Sequence, residues 1–301
     1  MKISVVLPCF NAMPFLEEGV QSILSQSYSN FEFLIVNDGS TDETSTYLNS
    51  INDPRVKVFH QNNQGLGTTL NRLFQMATTD WIFRMDADDV AMPQRLARQV
   101  QHITHAPENL VMVGTGFHII AGDKAMPSST VEVTNEKIVD LFANGYAGIC
   151  HPTLAFRRSS YLTLGPMRIA GAGEDIDFCL RMSEQGLCSN VPDDLLGYRM
   201  TRSSLSYSKL KELAVGYDYA IDAYRRRTQG KSEIGIEAFS QHWSKSPTSL
   251  LSLVKRRGNM LYRESLISKG EDRRLRSWAF LAAAGLCDPS AGLRKFMRLV
   301  R

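Results

Sequence analysis

The 301-residue chain, 43% hydrophobic and 22% charged, is long enough for one large core or two modest domains, and its composition excludes a disordered protein. No stretch approaches the roughly 18 continuous apolar residues of a spanning helix, and the opening MKISVVLPCFNAM is too short an apolar run for a signal peptide, so a cytoplasmic protein with at most peripheral membrane contact is expected. The net charge of +3 divides unevenly: residues 209–301 hold 19 Lys and Arg against 9 Asp and Glu, whereas residues 1–208 hold 15 against 22.

Apolar runs at Ile3–Leu7, Phe31–Val36, Val56–Phe59, Trp81–Met85 and Leu110–Val113 read as short, buried parallel strands. Helical spacing falls between them. Pro14 to Gln26 places Phe15, Val20, Ile23 and Leu24 on one face, and Ser40 or Thr41 can cap a helix after NDG. Leu66, Leu70, Leu73 and Met76 repeat within 65–77, and Pro93 suits a first helical turn. Strand and helix alternating in this way predict an α/β fold with a doubly wound, mostly parallel sheet.

Beyond residue 121 the periodicity weakens. HPTLAFRRSSYLTLG (151–165) reads as a strand and a short helix, AGAGEDIDFCLRMSEQG (170–186) as a glycine-rich loop entering a helix, and DLLGYRM (194–200) as a strand. From Ser206 onward the pattern is mainly helical. The expected organisation is a catalytic unit over 1–205, with a nucleotide-side half at 1–115 and an acceptor-side half at 116–205, followed by a basic helical region over 206–301.

Open α/β sheets bind ligands beyond the carboxyl ends of their strands. Those ends are PCFNA (8–12), NDGSTD (37–42), HQNNQGLG (60–67) and DADD (86–89). The first loop lacks the closely spaced glycines of a dinucleotide site, and no GxxxxGK[ST] phosphate loop occurs. What remains is Asp38 and the pair Asp86 and Asp88, a composition suited to sugar or base hydroxyls and a hard divalent cation. The alternative for the pair is a solvated turn, with Asp89 at the cap of the Pro93 helix.

A second acidic group, Glu174, Asp175 and Asp177, opens a helix whose N-terminal end favours negative charge. Capping accounts for at least one of them, and a loop-borne general base for another. His151, before a proline, is placed to start a strand and to touch a ligand, and Arg199 and Arg202 are candidates for a phosphate. Cys9, Cys150, Cys179, Cys188 and Cys287 show neither metal nor disulfide spacing and read as free thiols.

Together these loops resemble glycosyltransferase family 2, inverting enzymes with the A-type nucleotide-diphospho-sugar transferase (GT-A) fold. The resemblance rests on SVVLPCFNAMPFLEEGVQSILSQSYSNFEFLIVNDGSTDET (4–44), NQGLGTTLNRLFQMATTDWIFRMDADDVAMPQRL (63–96), HPTLAFRRSSYLTLG and GEDIDFCLRMSEQG, and it spans about 3–200. It implies that Pro8, Phe10 and Asn11 form a nucleotide-side loop with Phe10 against the base, and that Asp38 reads the base edge. Asp86, Ala87 and Asp88 match the family's D-x-D, which implies Mn²⁺ or Mg²⁺ held by Asp88 with Asp86 on the ribose or the metal's shell. Asp175 matches the general base, and Glu174 its neighbour. Asn71 matches a donor-side asparagine that many relatives precede with arginine, where this chain has Leu70.

The resemblance implies transfer of one sugar from a nucleotide-diphosphate sugar, UDP-linked in the first instance, to a glycan or lipid-diphosphate-linked glycan. No Q-x-x-R-W segment of the processive synthases is present. KRRGNMLYR (255–263) and LRKFMRLVR (293–301) suit either an anionic membrane surface or packing on the catalytic unit. The rival readings are a nucleotidyltransferase, whose basic glycine-rich first loop is missing, and an inactive sugar-binding protein. Acidic strand-end loops argue against nucleic acid.

Overall fold

A computed structural model describes residues 1–126, 131–168, 173–202 and 210–288. Strands β1 (Ile3–Cys9), β2 (Phe31–Asn37), β3 (Val56–His60) and β4 (Trp81–Arg84) alternate with helices α1 (Leu16–Leu24), α2 (Thr44–Ser50) and α3 (Leu66–Met76). Every residue of β1, β2 and β4 is buried, which is why their sequences are continuous apolar runs rather than alternations. The short β5 (Val90–Ala91) and helix α4 (Arg95–His105) lead into the long β6 (Leu110–Ala121) and a two-residue return strand, β7 (Lys124–Ala125). Helix α5 (Asn135–Ala143), a 3₁₀ turn at His151–Thr153, β8 (Ala155–Arg157), α6 (Arg158–Leu164), α7 (Glu174–Ser183) and β9 (Leu187–Met200) follow.

The described strands form one sheet in the order β3-β2-β1-β4-β8-β6-β9-β5, with β7 on β6. The sheet is mixed, which corrects the expectation of a doubly wound, mostly parallel layer. Strands β3, β2, β1 and β4 are parallel neighbours, and β6 pairs in parallel with β9. Between these blocks β8 runs antiparallel to both β4 and β6. The crossover from β4 to β6 leaves a one-strand gap, which the three residues Ala155–Arg157 fill from the opposite direction. The edge strand β5 is also antiparallel to β9.

Helices cover both faces. One face carries an aromatic cluster in which Phe74 of α3 meets Phe156 of β8 at 4.8 Å and Phe178 of α7 meets Phe156 at 5.2 Å, both edge-on, the arrangement that ring quadrupoles favour. The other face buries α1, α2 and α4 in one cluster with β1, β2, β6 and β9, with α4 lying on β6 and β9. Within α4, Arg95 is fully buried and donates to the carbonyls of Arg84 (2.6 Å) and Pro152 (2.8 Å). Gln99, one turn on, donates to the carbonyls of Val113 and Thr153. These two side chains join the end of β4, the 3₁₀ turn and β6, satisfying backbone acceptors at the place where the regular ladder stops.

Four further helices complete the described chain: α8 (Leu210–Thr228), α9 (Ile236–Trp243), α10 (Pro247–Gly270) and α11 (Arg274–Cys287). Pro247 occupies the first turn of α10, and the Ser246 hydroxyl caps it by accepting from the Thr248 N–H. Tyr219, Ala220 and Ala223 of α8 belong to the same buried cluster as Phe178 and Leu180 of α7. A smaller cluster joins Ile119 and Ala121 of β6 to Leu266 of α10 and Leu281 of α11. Helices α8, α10 and α11 thus each share a buried cluster with the sheet domain. No helix among the described residues is long and apolar enough to cross a membrane.

Candidate active site

The loops after β1, β2, β3 and β4 open on one sheet edge, and the first two are laced together. Asn11, at a positive φ of 46°, accepts from the Thr41 N–H through Oδ1 at 2.8 Å, while its own N–H donates to the Ser40 Oγ at 2.9 Å. The Ala12 and Met13 N–H groups donate to Thr44 Oγ1 and Asp42 Oδ2. Ser40 and Thr41 therefore serve this lacing instead of capping α2, which starts only at Thr44. Phe10 projects from the loop, 50% exposed, whereas Pro8 is a buried member of β1 in register with Val36.

Asp38, buried at the end of β2, organises the third loop. Its Oδ1 accepts from Gln61 Nε2 (2.7 Å) and the Gln64 N–H (2.8 Å), and its Oδ2 accepts from the Gly65 N–H (2.9 Å). Arg72 on α3 donates to Gln61 Oε1 at 2.5 Å, forming a relay to Asp38. A carboxylate offers about four acceptor positions, so one remains on Oδ2. Leu70 is fully buried and has no access to a phosphate. Arg72, two positions later, is the cation of this region, and only its place beside Asn71 marked it in the sequence.

At the end of β4 the sheet interior carries a charge. Arg84 is buried and pairs with Asp86 at 2.7 Å, leaving its Nε and Nη1 without a partner. Burial and then the neighbouring Asp86 push the Asp88 carboxyl up to about 6. The loop lies so close to α1 that a side chain on Gly19 would meet the Ala87 carbonyl at 2.9 Å. Asp89 is not a helix cap: it is buried, and its Oδ1 accepts from the Arg199 N–H at 2.8 Å. Burial, reinforced by Asp88 and Asp86, raises its pKa well above the usual carboxylate range.

Arg199 is fully engaged in strapping this loop. Its Nε donates to the Asp88 carbonyl at 2.8 Å, its Nη2 pairs with Glu18 at 2.6 Å, and its guanidinium lies 4.4 Å from the centre of the Phe15 ring. That corrects its expected place as a phosphate ligand. Arg202 is likewise committed, to Glu264 and Glu271. Among the described residues no group of three or more Asp, Glu, His or Cys is arranged to hold a metal alone. Asp86 and Asp88 nevertheless fit a hard cation whose remaining ligands are phosphates and water: two carboxylates one residue apart, one of them desolvated, gain from a positive charge between them.

The acids of GEDIDF separate by environment. Asp177 is fully buried and structural, paired with Arg168 at 2.6 Å and Arg181 at 2.9 Å. Glu174 is 8% exposed; burial and then Asp175 push its carboxyl up to about 7, while the charges of Arg84 and Asp86 also reach it. The start of α7 is therefore electrostatically in touch with the end of β4. Asp175 is half-buried and accepts through Oδ1 from the Ile176 N–H (2.8 Å) and through Oδ2 from the Tyr217 hydroxyl (3.1 Å).

Two expected ligands take other places. His151 lies in the 3₁₀ turn, not a strand; its Nε2 is buried without a partner, and burial, with Arg84, holds its pKa well below the usual imidazole range. A neutral ring cannot serve as a cationic phosphate ligand. Asn71 spends its amide on Met167, accepting from its N–H (2.8 Å) and donating to its carbonyl (3.1 Å). Burial raises the thiol pKa of Cys9 and Cys188 to about 12, and those of Cys150 and Cys179 well above the ordinary value, so none of these four supplies a thiolate at neutral pH.

The sequence profile of Glycosyl transferase family 2 matches residues 4–165, over half the chain. The chain belongs to that family. Among its relatives, the glycosyltransferase EpsE of Bacillus subtilis is 31% identical over 74% of this chain and 81% of its own. The O-antigen biosynthesis glycosyltransferase WbnJ of Escherichia coli is 31% identical over 69% of this chain and 83% of its own. The structure of S. aureus TarS 1-349 in complex with UDP-GlcNAc superposes with a TM-score of 0.59 at 16% identity, over 95% of this chain and 91% of that one. The mannosyltransferase PcManGT of Pyrobaculum calidifontis, in complex with GDP-Man and Mn²⁺, gives 0.56 at 18% identity, over 96% and 87%. These likenesses establish a GT-A-like fold, and this family 2 protein is a glycosyltransferase enzyme.

Proposed function

We propose that the protein is a metal-dependent, inverting glycosyltransferase that moves one sugar from a UDP-linked donor to a hydroxyl of a glycan or lipid-diphosphate-linked glycan, in the building of a cell-surface polysaccharide. Such work would place it at the cytoplasmic face of the membrane that carries the acceptor. The observation that carries the reading is that two acidic centres, Asp86 with Asp88 and Glu174 with Asp175, lie close enough for the charges of Arg84 and Asp86 to act on both Asp88 and Glu174. The O-antigen biosynthesis named for WbnJ supports the polysaccharide context, the TarS complex the UDP-sugar, and the PcManGT complex a divalent metal.

In this reading Phe10 lies against the nucleobase, Asn11 holds the first loop in shape, and Asp38 uses its remaining acceptor position on the base edge. Asp88 and Asp86 would hold Mn²⁺ or Mg²⁺, which when bound offsets the negative charge that develops on the diphosphate oxygens. Asp175 accepts the proton of the acceptor hydroxyl as that oxygen forms its bond to the anomeric carbon. The bond to the donor diphosphate breaks on the opposite side, its electron pair leaves with the nucleoside diphosphate, and the anomeric configuration inverts. Glu174 retains its proton to about pH 7, which limits the negative charge beside the base.

Asp175→Asn tests the assignment. Transfer falls by about 100-fold or more, the usual worth of a positioned base, while titration with nucleotide sugar in the presence of Mn²⁺ returns a Kd within about threefold of wild type. Substantial residual transfer would remove Asp175 from its role.

A further inference from the structure

The family match ends at residue 165, yet Asp175 is held by side chains from much later in the chain. Tyr217 on α8 donates its hydroxyl proton to Asp175 Oδ2 across 42 residues of sequence. Over the Tyr217 ring sits the guanidinium of Arg256 from α10, 3.9 Å from the ring centre. We propose that Tyr217 and Arg256 are positioning residues for the Asp175 carboxylate, so that the C-terminal helices complete the catalytic centre.

Three observations carry this. First, Asp175 has one oxygen tied to its own helix start through the Ile176 N–H and the other tied to Tyr217. Two bonds from different elements fix the carboxylate plane, whereas the helix bond alone leaves it free to rotate, and a misaimed base loses rate without losing substrate. Second, the elements meet with no side chain between them. Gly173 has a φ of +91°, and a Cβ there would stand 2.7 Å from the Gly216 carbonyl carbon and 2.9 Å from the Tyr217 nitrogen. The turn before Glu174 is thereby set directly on the residue before Tyr217. Third, Arg256 is enclosed on a second side: a Cβ on Gly145 would lie 3.3 Å from its Nη2. A cation over the face of a phenol ring is attracted to its π-electrons, and by withdrawing electron density it strengthens the hydroxyl as a donor. Burial, followed by the charge of Asp175, keeps that phenol protonated, so Tyr217 acts as a donor rather than as a competing base.

The inference rests on Asp175 being the base, and the experiment separates the two. UDP-glucose, UDP-galactose, UDP-GlcNAc and GDP-mannose are supplied with Mn²⁺, and nucleoside diphosphate release to water is followed for the full-length protein, giving kcat and KM separately. Tyr217→Phe keeps ring and packing and removes one hydrogen bond; kcat falls roughly tenfold while KM stays within about twofold and Tm within about 2 °C. Arg256→Gln lowers kcat by about threefold, Arg256→Lys restores most of it, and in the Tyr217→Phe background Arg256→Gln adds little, because its effect passes through the hydroxyl. Unchanged kcat in Tyr217→Phe, or independent multiplication of the two losses, would overturn the proposal. If Tyr217→Phe does not fold, the contrast between Arg256→Gln and Arg256→Lys decides alone: equal losses, or none, reject it. Asp175→Asn that still releases nucleotide at the wild-type rate rejects the base itself; Asp175→Asn inactive with Tyr217→Phe at full rate rejects only the positioning pair.

Discussion

Arg199 reaches back 110 residues to Asp89, its main-chain N–H donating to Asp89 Oδ1 at 2.8 Å. With its side chain on the Asp88 carbonyl, Glu18 and Phe15, it binds β9 to the loop that carries Asp86 and Asp88. The main-chain bond survives any substitution at 199 other than proline, but the side-chain contacts do not. Arg199→Ala is expected to cost roughly 1–3 kcal/mol of stability, since it frees a carbonyl and removes a stacked cation. In transfer assays the same variant raises donor KM and the Mn²⁺ concentration needed for half-maximal rate, because the loop loses its fixed position. Denaturant titration and metal titration measure the two effects separately.

Asp88 shows a conflict between stability and use. Its carboxyl is desolvated and faces Asp86, an arrangement with a cost until a cation is bound. Asp88→Asn should raise the stability of the metal-free protein by roughly 1 kcal/mol, read as an increase in Tm. It should also remove the Mn²⁺-dependent Tm increase that a bound nucleotide sugar gives wild type. A variant that keeps this increase would exclude Asp88 as a metal ligand.

Glu174 sets a pH dependence. Its folded pKa, about 7, is raised from the ordinary glutamate value of 4.5 chiefly by burial and secondly by Asp175. Between those two values the folded state binds more protons than the unfolded state, so stability falls as pH rises from about 4.5 to about 7. Glu174→Gln removes the ionisation. Urea unfolding at a series of pH values should show the variant with a flatter profile, and more stable than wild type by on the order of 2 kcal/mol above pH 7.

Arg95 is a buried cation whose role is structural. Burial lowers its pKa to about 10, which leaves it charged at neutral pH. Arg95→Met fills most of the volume but orphans the carbonyls of Arg84 and Pro152, at an expected cost of roughly 2–4 kcal/mol. Calorimetry reads the loss as a lower Tm, and a variant as stable as wild type would show that water replaces the guanidinium.

What was legible in the sequence was mostly local. Strands β1, β2 and β4 announce themselves as apolar runs because both faces of each are covered, and the loops that follow them carry Phe10, Asp38, Asp86 and Asp88 within a few residues of the strand ends. What escaped was set by partners far along the chain. Asn71 reads as a ligand until Met167, 96 residues on, takes its amide. Asp89 reads as a helix cap until Arg199 binds it. Of the three acids in GEDIDF, only the positions of Arg168 and Arg181 reveal that Asp177 is structural. The strand and short helix read in HPTLAFRRSSYLTLG are β8 and α6, but the antiparallel direction of β8 was not legible, since three residues carry no directional signal. The buried Arg84 carries a signal in the sequence itself: an arginine inside an otherwise apolar strand needs a partner, which is Asp86. LRKFMRLVR (293–301) lies outside the described residues. KRRGNMLYR lies on α10, where Arg256 and Arg263 turn inward onto Tyr217 and Tyr198.

The contact of Gly173 with Gly216 bears on how far such enzymes are modular. A chimera joined near residue 205, with helices borrowed from a relative, imports whatever side chain that relative has opposite Gly173. A side chain at Gly173 would meet the Gly216 carbonyl carbon and the Tyr217 nitrogen and push the two backbones apart. Recombination across this seam is therefore restricted to helices whose backbone can approach Gly173 as closely as that of Gly216 and Tyr217 does.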